Sequence, residues 1–381
     1  MSLGPGVYVH IPVCATRCDY CAFATWTDRD HLIDAYVDAC VTDVARRRTT
    51  GELGDATTVY FGGGTPSLLD AAQLMRILDA VPRATDAEVT VECNPDSIDA
   101  EKLRVYRDHG VTRVSLGVQS TQPHVLAALG RTHDRDNVTR AVDAVGAVGI
   151  PSFNLDVIAG TTGESAADFD ATLTDVLALG PPHVSVYGLM VEPGTPLERR
   201  IAAREIDPPD PDAQADRYLR ADEHLAAVGL EWYEVSNWAR PGHECRHNLG
   251  YWTGQDCVAI GAAAHGHSDG VRSWNVPKPE RYIDRVCAGA SPIAGDEHLD
   301  PVTIASERFG LSLRTRAGAA VPAGIDPGVL AEVADAGLAT ISGDRIVLTA
   351  TGRLLATEVT LRLEAGTRYD GVPTDAAQVD R

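Results

Sequence analysis

Three cysteines fall within eight residues in the stretch CATRCDYCAF, Cys14 to Phe23. Cys14, Cys18 and Cys21 have the spacing C-x3-C-x2-C, short enough for one loop to wrap three thiolates around a small inorganic core. A [4Fe–4S] cluster normally takes four protein thiolates, so three leave one iron open to an outside ligand. Zinc would call for a second Cys/His pair at matched spacing, and none follows nearby. Structural cysteines prefer burial, whereas this loop is flanked by Pro12, Arg17 and Asp19. Other polar groups recur along the first half of the chain. YFGGGTPSLL supplies Gly62, Gly63 and Gly64, which permit close backbone approach to a ligand and would equally suit a phosphate cradle. Glu92 in VECNP can accept from an ammonium or a hydroxyl. Gln119, Arg131 and Asp156 follow in SLGVQS, LGRTH and FNLDVIAG. Of these, Arg131 suits a carboxylate partner.

These residues need a scaffold that brings them together. Short apolar runs at 7–11, 57–61, 88–92, 113–117, 152–157 and 183–187 read as strands, and the segments between them carry helical period. Val138, Val142, Val145 and Val148, for example, share one helical face. Strand–helix alternation at about 25–35 residues per unit implies right-handed crossovers and a parallel sheet. Six units predict an α/β fold built as a partial (β/α)6 barrel. Each unusual residue follows or ends a strand, on the rim where parallel barrels carry their chemistry. The core barrel is expected over 1–230, with a helix starting at Asp210-Pro211 near its end. An irregular extension rich in Trp, His and Gly is expected over 231–300, then a small winged-helix-like module over 301–368 and a disordered tail over 369–381.

Length and composition limit the function. A chain of 381 residues, 44% hydrophobic and 23% charged, fits a globular protein with one large core and a smaller module. The net charge is −21, and among 33 basic residues only Lys102 and Lys278 are lysines. That acidic field repels phosphates and argues against nucleic acid as a partner. No apolar run reaches the ~18–20 residues of a membrane span, so any membrane contact is expected to be peripheral. No targeting signal is visible. Clustered rather than paired cysteines suit a reducing compartment, so a cytoplasmic protein is expected. Cys40, Cys93, Cys245, Cys257 and Cys287 read as structural.

The cysteine motif after a first strand, with Tyr20 before the third cysteine, resembles the radical S-adenosylmethionine (SAM) superfamily. That resemblance implies SAM chelated by the open iron and cleaved reductively to a 5′-deoxyadenosyl radical, the cofactor supplying the chemistry. It also implies an electron donor such as a flavodoxin or ferredoxin. GGGTPS, Glu92, Gln119, Arg131 and Asp156 in this order are similar to the oxygen-independent coproporphyrinogen III dehydrogenase branch. By that likeness Tyr8, Tyr20, Gly63, Gly64, Thr65, Glu92, Gln119, Arg131 and Asp156 would line SAM. The dehydrogenases carry a fourth cysteine where this chain has Phe23, and a longer segment before the residue matching Tyr8. Both differences point to the sister group, the HemW-type heme chaperones. CRHNLGYW, Cys245 to Trp252, contains that group's His-Asn-x-x-Tyr-Trp signature. His247 would then bind heme through its imidazole, beside flat apolar surface from Tyr251 and Trp252. His265 in AIGAAAHG is a second candidate, although the usual glycine of that segment is Ala263. The resemblance implies a heme carrier that delivers to an acceptor hemoprotein. The alternatives are coproporphyrinogen dehydrogenation or another radical SAM reaction. One loop departs from the pattern: Gly160-Thr161-Thr162-Gly163-Glu164-Ser165 stands where relatives have Gly-Leu-Pro-Gly-Gln-Thr.

Overall fold

The computed structural model describes residues 4–367. Two compact units divide them, the first running to His298 apart from short excursions and the second from Leu299 onward. The expected tail lies outside the described residues.

Six strands of the first unit alternate with helices as expected. They are β1 (Gly6–Ile11), β2 (Ala56–Gly63), β3 (Arg83–Cys93), β4 (Arg113–Gln119), β5 (Ser152–Ala159) and β6 (His183–Gly188). Helices α1 (Ile33–Thr50), α2 (Ala71–Ala80), α3 (Ala100–Asp108), α4 (Pro123–Ala128), α5 (Arg135–Val148) and α6 (Ala166–Ala178) lie between them. All neighbouring pairs from β1 to β6 are parallel. The strands obey a two-residue rule. Val59 and Phe61, Val89 and Val91, Val114 and Leu116, Leu155 and Val157, and Val184 and Val186 are buried in the main apolar core. The alternate positions carry polar side chains, and Tyr60, Glu92, Ser115, Asp156 and Ser185 all border one cavity. Apolar residues thus cover the helix-facing side, and the concave side is left polar for a ligand.

Residues 230–300 are more regular than expected. After α7 (Pro196–Ala202) and α8 (Pro211–Ala227) come β7 (Glu231–Glu234), β8 (Asn237–Ala239), α9 (Arg246–Thr253), β9 (Cys257–Ile260), β10 (His265–Ser268), β11 (Val271–Asn275), α10 (Pro279–Cys287) and β12 (Ile293–His298). The sheet order is β12-β11-β10-β9-β1-β2-β3-β4-β5-β6-β8-β7, an open sheet with two edges. β9 pairs parallel to β1, on the side away from β2. It extends the parallel block by one strand drawn from late in the chain, and its four residues are too few to display a period. The start of α8 follows the sequence reading, with Asp210 Oδ1 accepting from the Asp212 N–H at 3.0 Å.

Two local devices fix the loops that matter. Lys102 Nζ donates to three carbonyls, Ser67 at 2.6 Å, Leu69 at 3.2 Å and Ser97 at 3.2 Å. This single ammonium ties the segment after the glycine run to the start of α3. The Tyr36 hydroxyl donates to His10 O at 2.8 Å and accepts from the Ala262 N–H at 2.8 Å, fastening the AIGAAAHG loop to β1. In that loop Ala263 has φ +57°, a left-handed conformation that suits glycine. Ala263→Gly should therefore stabilise the protein by about 0.5–1 kcal/mol, despite the added freedom of the unfolded chain. Urea unfolding checks this, and a loss of stability would mean that the alanine methyl makes a contact worth more than the strain.

In the second unit α11 (Pro301–Ser312), α12 (Pro327–Asp335), α13 (Ala350–Leu354) and α14 (Ala356–Ala365) accompany β13 (Ala319–Ala320), β14 (Ala339–Ser342) and β15 (Arg345–Leu348). The strands form an antiparallel sheet in the order β13-β15-β14 around a separate apolar core that includes Leu313, Val333, Ile346 and Leu363. Residues 327–365 run helix–strand–turn–strand–helix.

Candidate functional site

The loop after β1 and the C-terminal ends of β2 to β6 border a cavity of about 760 Å³. Cys14, Cys18 and Cys21 all line it and are free thiols. The loop is held by its backbone. Cys14 N–H donates to Trp26 O at 3.0 Å, Trp26 N–H to Pro12 O at 2.8 Å, and Thr65 N–H to Val13 O at 2.8 Å. Asp19 anchors the middle, pairing with Arg200 at 2.9 Å and donating its N–H to Leu129 O at 3.3 Å. Among the described residues no three Cys, His, Asp or Glu side chains converge on one ion. The donor set itself, three thiolates on one short loop bordering a cavity, suits a [4Fe–4S] cluster with one iron left open. Two sulfurs already receive donors: Thr65 Oγ1 lies 3.7 Å from Cys14 Sγ and Arg131 Nη1 3.6 Å from Cys18 Sγ. Burial pushes the Cys14 and Cys21 thiols up, partly offset at Cys14 by Thr65 and Thr25. Metal loading must overcome this and release protons.

The glycine turn closes against the loop. Gly64 N–H donates to Ile11 O at 2.8 Å, and a Cβ on Gly64 would sit 2.5 Å from Val13 O. Gly63 has φ +105°, and a Cβ there would collide with the His10 imidazole at 2.4 Å. Glu92 accepts from the Tyr60 hydroxyl at 2.8 Å and the Gly63 N–H at 3.2 Å. Burial nevertheless raises its pKa to about 7, so a cation placed beside it would draw it fully into the charged form. Asp156 accepts from Ser115 Oγ at 2.9 Å and Asn154 Nδ2 at 2.7 Å, and burial raises it as well. Arg131 Nη2 donates to Asn94 Oδ1 and to Gly117 O, each at 2.9 Å. Its buried Nε has no partner, a fixed donor suited to an anionic ligand such as a carboxylate. Gln119 ends β4 at φ +64°, a conformation that costs a non-glycine residue energy and tends to cluster at functional sites.

Of the residues expected to line SAM, Tyr20, Gly63, Gly64, Thr65, Glu92, Gln119, Arg131 and Asp156 border this cavity. Tyr8 does not line it. It sits beside Tyr60, its register partner on β2, with ring centroids 6.3 Å apart and its hydroxyl 3.2 Å from His10 Nδ1. His247 is also away from the cavity lining, near the N-terminal ends of β1 and β2. Its Nδ1 is 2.8 Å from Thr58 Oγ1, its Nε2 is 3.0 Å from Tyr251 Oη, and its ring stacks on Tyr60 at 5.0 Å. It is 4% exposed, and burial lowers its pKa to about 3. His265 is exposed and stacks on Trp274. Sequence reasoning missed Tyr60, Asn94 and Ser115. Strand alternation from Gly62 back to Tyr60, and from Asp156 across to Ser115 in the next strand, was the available signal.

Residues 8–176 match the family model described as the Radical SAM superfamily. The E. coli coproporphyrinogen III oxidase (HemN), whose solved structure is described as a radical SAM enzyme, superposes with a TM-score of 0.82 over 95% of this chain and 90% of its own, at 24% identity. Heme chaperone HemW from Mycobacterium tuberculosis H37Rv is 42% identical over 93% of both chains. The chain belongs to the HemW family. Heme chaperone HemW from Bacillus subtilis is 31% identical over 92% of this chain and 97% of its own length. No helix among the described residues is long and apolar enough to cross a membrane.

Within this HemW-family chain the divergent loop after β5 is ordered around Glu164, whose Oε2 accepts from the Gly160 N–H at 2.7 Å. Its Oε1 and Thr161 Oγ1 are buried without hydrogen-bond partners. Burial raises the Glu164 pKa from 4.5 to about 7, with Arg217 pulling the other way. The folded state therefore holds this proton more tightly than the unfolded state. Its contribution is most favourable below pH ~4.5 and is lost as pH rises through ~7. Glu164→Gln keeps the acceptor and removes the titration. The variant should gain about 2 kcal/mol over wild type at pH 8 and almost nothing at pH 4.5. Denaturant midpoints at the two pH values check this, and an equal difference at both would refute the titration.

Proposed function

We propose that the protein is a heme chaperone that holds a [4Fe–4S] cluster, SAM and heme, and delivers the heme to an acceptor hemoprotein. The observation that carries the reading is 42% identity over 93% of the chain to a relative named a heme chaperone. In this reading Cys14, Cys18 and Cys21 hold the cluster. Tyr20, Gly63, Gly64, Thr65, Glu92, Gln119, Arg131 and Asp156 bind SAM directly, and Tyr8 supports them from beside Tyr60. When bound, the cluster and SAM supply one-electron chemistry. The chain's own residues bind and orient: Arg131 offers Nε to the SAM carboxylate, and Glu92 accepts from the ammonium. A flavodoxin or ferredoxin would serve as the electron donor, in the cytoplasm, with any membrane contact peripheral.

His247 is the proposed heme residue of the His-Asn-x-x-Tyr-Trp segment. Its Nε2 can reach iron only after the Tyr251 hydroxyl, which also contacts Cys257 Sγ at 3.7 Å, lets go. Uptake there should be slow and should vanish in His247→Ala. Phe23, in the position of the dehydrogenases' fourth cysteine, speaks against porphyrinogen chemistry. The test is anaerobic reconstitution followed by quantification of iron, SAM and heme in one sample. At least one heme per chain, with no turnover of coproporphyrinogen III, is the expected result. Absence of heme uptake, or decarboxylation of the porphyrinogen, overturns it.

A further inference from the structure

The first unit exposes few large apolar side chains, and they are not spread evenly. Phe23 is 65% exposed, Tyr187 41%, Met190 69% and Val191 37%, and the first three line the same cavity as the cysteines. Monomeric proteins seldom leave a methionine and two aromatic rings open together beside a cavity without use. Met190 does not sit on a loose tether. The preceding residue is pinned on both sides: Leu189 N–H donates to Ala159 O at 3.0 Å, and Leu189 O accepts from Gln214 Nε2 at 2.7 Å. The thioether is thus presented from a fixed backbone while its side chain stays free. Met75, by contrast, is completely buried in the core.

We propose that the cavity mouth is itself a heme-binding surface, with the Met190 thioether ligating the iron and Phe23 and Tyr187 flanking the macrocycle. The chemistry fits one ligand class, a flat apolar ring with a soft-ligand-accepting metal and anionic arms. Thioether sulfur is an established iron ligand in heme proteins. Aromatic rings offer flat apolar surface at low entropic cost. Exposed Arg17 lines the same cavity and is the cation available to a propionate, whereas Glu192 and Asp96 would turn the anionic edge away from themselves. His247 must break a hydrogen bond and leave a buried stack before it meets iron, whereas Met190 needs neither step. The two sites are therefore separate, the mouth taking heme quickly and His247 slowly. This inference rests on the heme-chaperone reading.

The test is stopped-flow mixing of dithionite-reduced ferrous heme with the anaerobically reconstituted full chain. The proteins compared are wild type, Met190→Leu, Met190→His and His247→Ala. Met190→Leu keeps the apolar surface but removes the ligand. It should lose the fast phase and weaken that site at least tenfold. Met190→His should restore fast binding with a nitrogen-ligated spectrum, and His247→Ala should keep the fast phase. Heme uptake by wild type with an unchanged fast phase in Met190→Leu overturns the mouth site alone. Loss of all binding in His247→Ala also overturns it, because heme would then enter at His247 only. A wild type that takes up no heme overturns the chaperone reading and the mouth site together.

Discussion

Cys18→Ala is expected to yield a folded protein that cannot keep its iron. Cys18 is half-buried on a surface loop and makes no contribution to the main apolar core, so removing its sulfur should change the stability of the metal-free chain by less than about 0.5 kcal/mol. Its loss from the site is another matter. Three thiolates are the minimum that fixes a four-iron cluster with one iron open, and two cannot orient it. No ready replacement is at hand: Cys40, Cys245 and Cys257 are buried away from the cavity, and Cys93, which borders it, donates its thiol to Val91 O at 3.6 Å and is pushed by burial up to about 12. After anaerobic reconstitution the iron content should fall from about four per chain to well below one, and the broad thiolate-to-iron absorbance near ~400 nm should disappear. Cys287→Ala is the matched control, since Cys287 is exposed and does not line the cavity. It should retain full iron. A Cys18→Ala protein with a normal cluster would remove this loop from the metal site.

Arg131→Leu should separate the cluster from its ligand. The guanidinium is fixed by Asn94 and Gly117 through Nη2, and it reaches Cys18 Sγ through Nη1. The remaining Nε is buried and unpartnered. A charge-assisted bond to a carboxylate at that position is worth about 2–3 kcal/mol, so SAM affinity should drop ~30–150-fold while iron content stays near normal. Arg131→Lys should recover little, because one ammonium cannot hold Asn94, Gly117 and a ligand in the same plane. Titrating SAM against the cluster spectrum reads both variants. An unchanged dissociation constant for Arg131→Leu would show that the carboxylate is held elsewhere.

The legible parts of this protein are those encoded over short stretches. β1 to β6, the glycine turn and the helix opening at Asp210-Pro211 each carry their signal within about ten residues, in alternation, in chain-reversing glycines or in a cap. The cavity residues at strand ends can be inferred because parallel strands deliver their C-terminal ends to one rim. What escapes a sequence reading depends on partners far along the chain. β9 is only four residues long, and its place beside β1 is set by tertiary pairing. The environment of His247 escapes for the same reason. Its motif advertises an imidazole beside aromatic rings, but the hydroxyl that occupies Nδ1 belongs to Thr58, 189 residues earlier. Nothing in CRHNLGYW reveals that contact. Tyr8 belongs to a strand that ends at the cavity, which makes it a natural candidate for the lining. It lies off the lining, beside its register partner Tyr60, which borders the cavity.

Lys102 has a practical consequence. Nearly every cation in this chain is an arginine, yet the junction after the glycine run retains an amine, because a tetrahedral head can meet three carbonyls that a planar guanidinium could not satisfy from one point. The other lysine, Lys278, is exposed. Acylating dyes and amine-reactive resins therefore meet one caged side-chain amine and one open one. Lys278 is the open side-chain handle for a fluorophore or a sensor surface, remote in sequence from every residue of the cysteine loop.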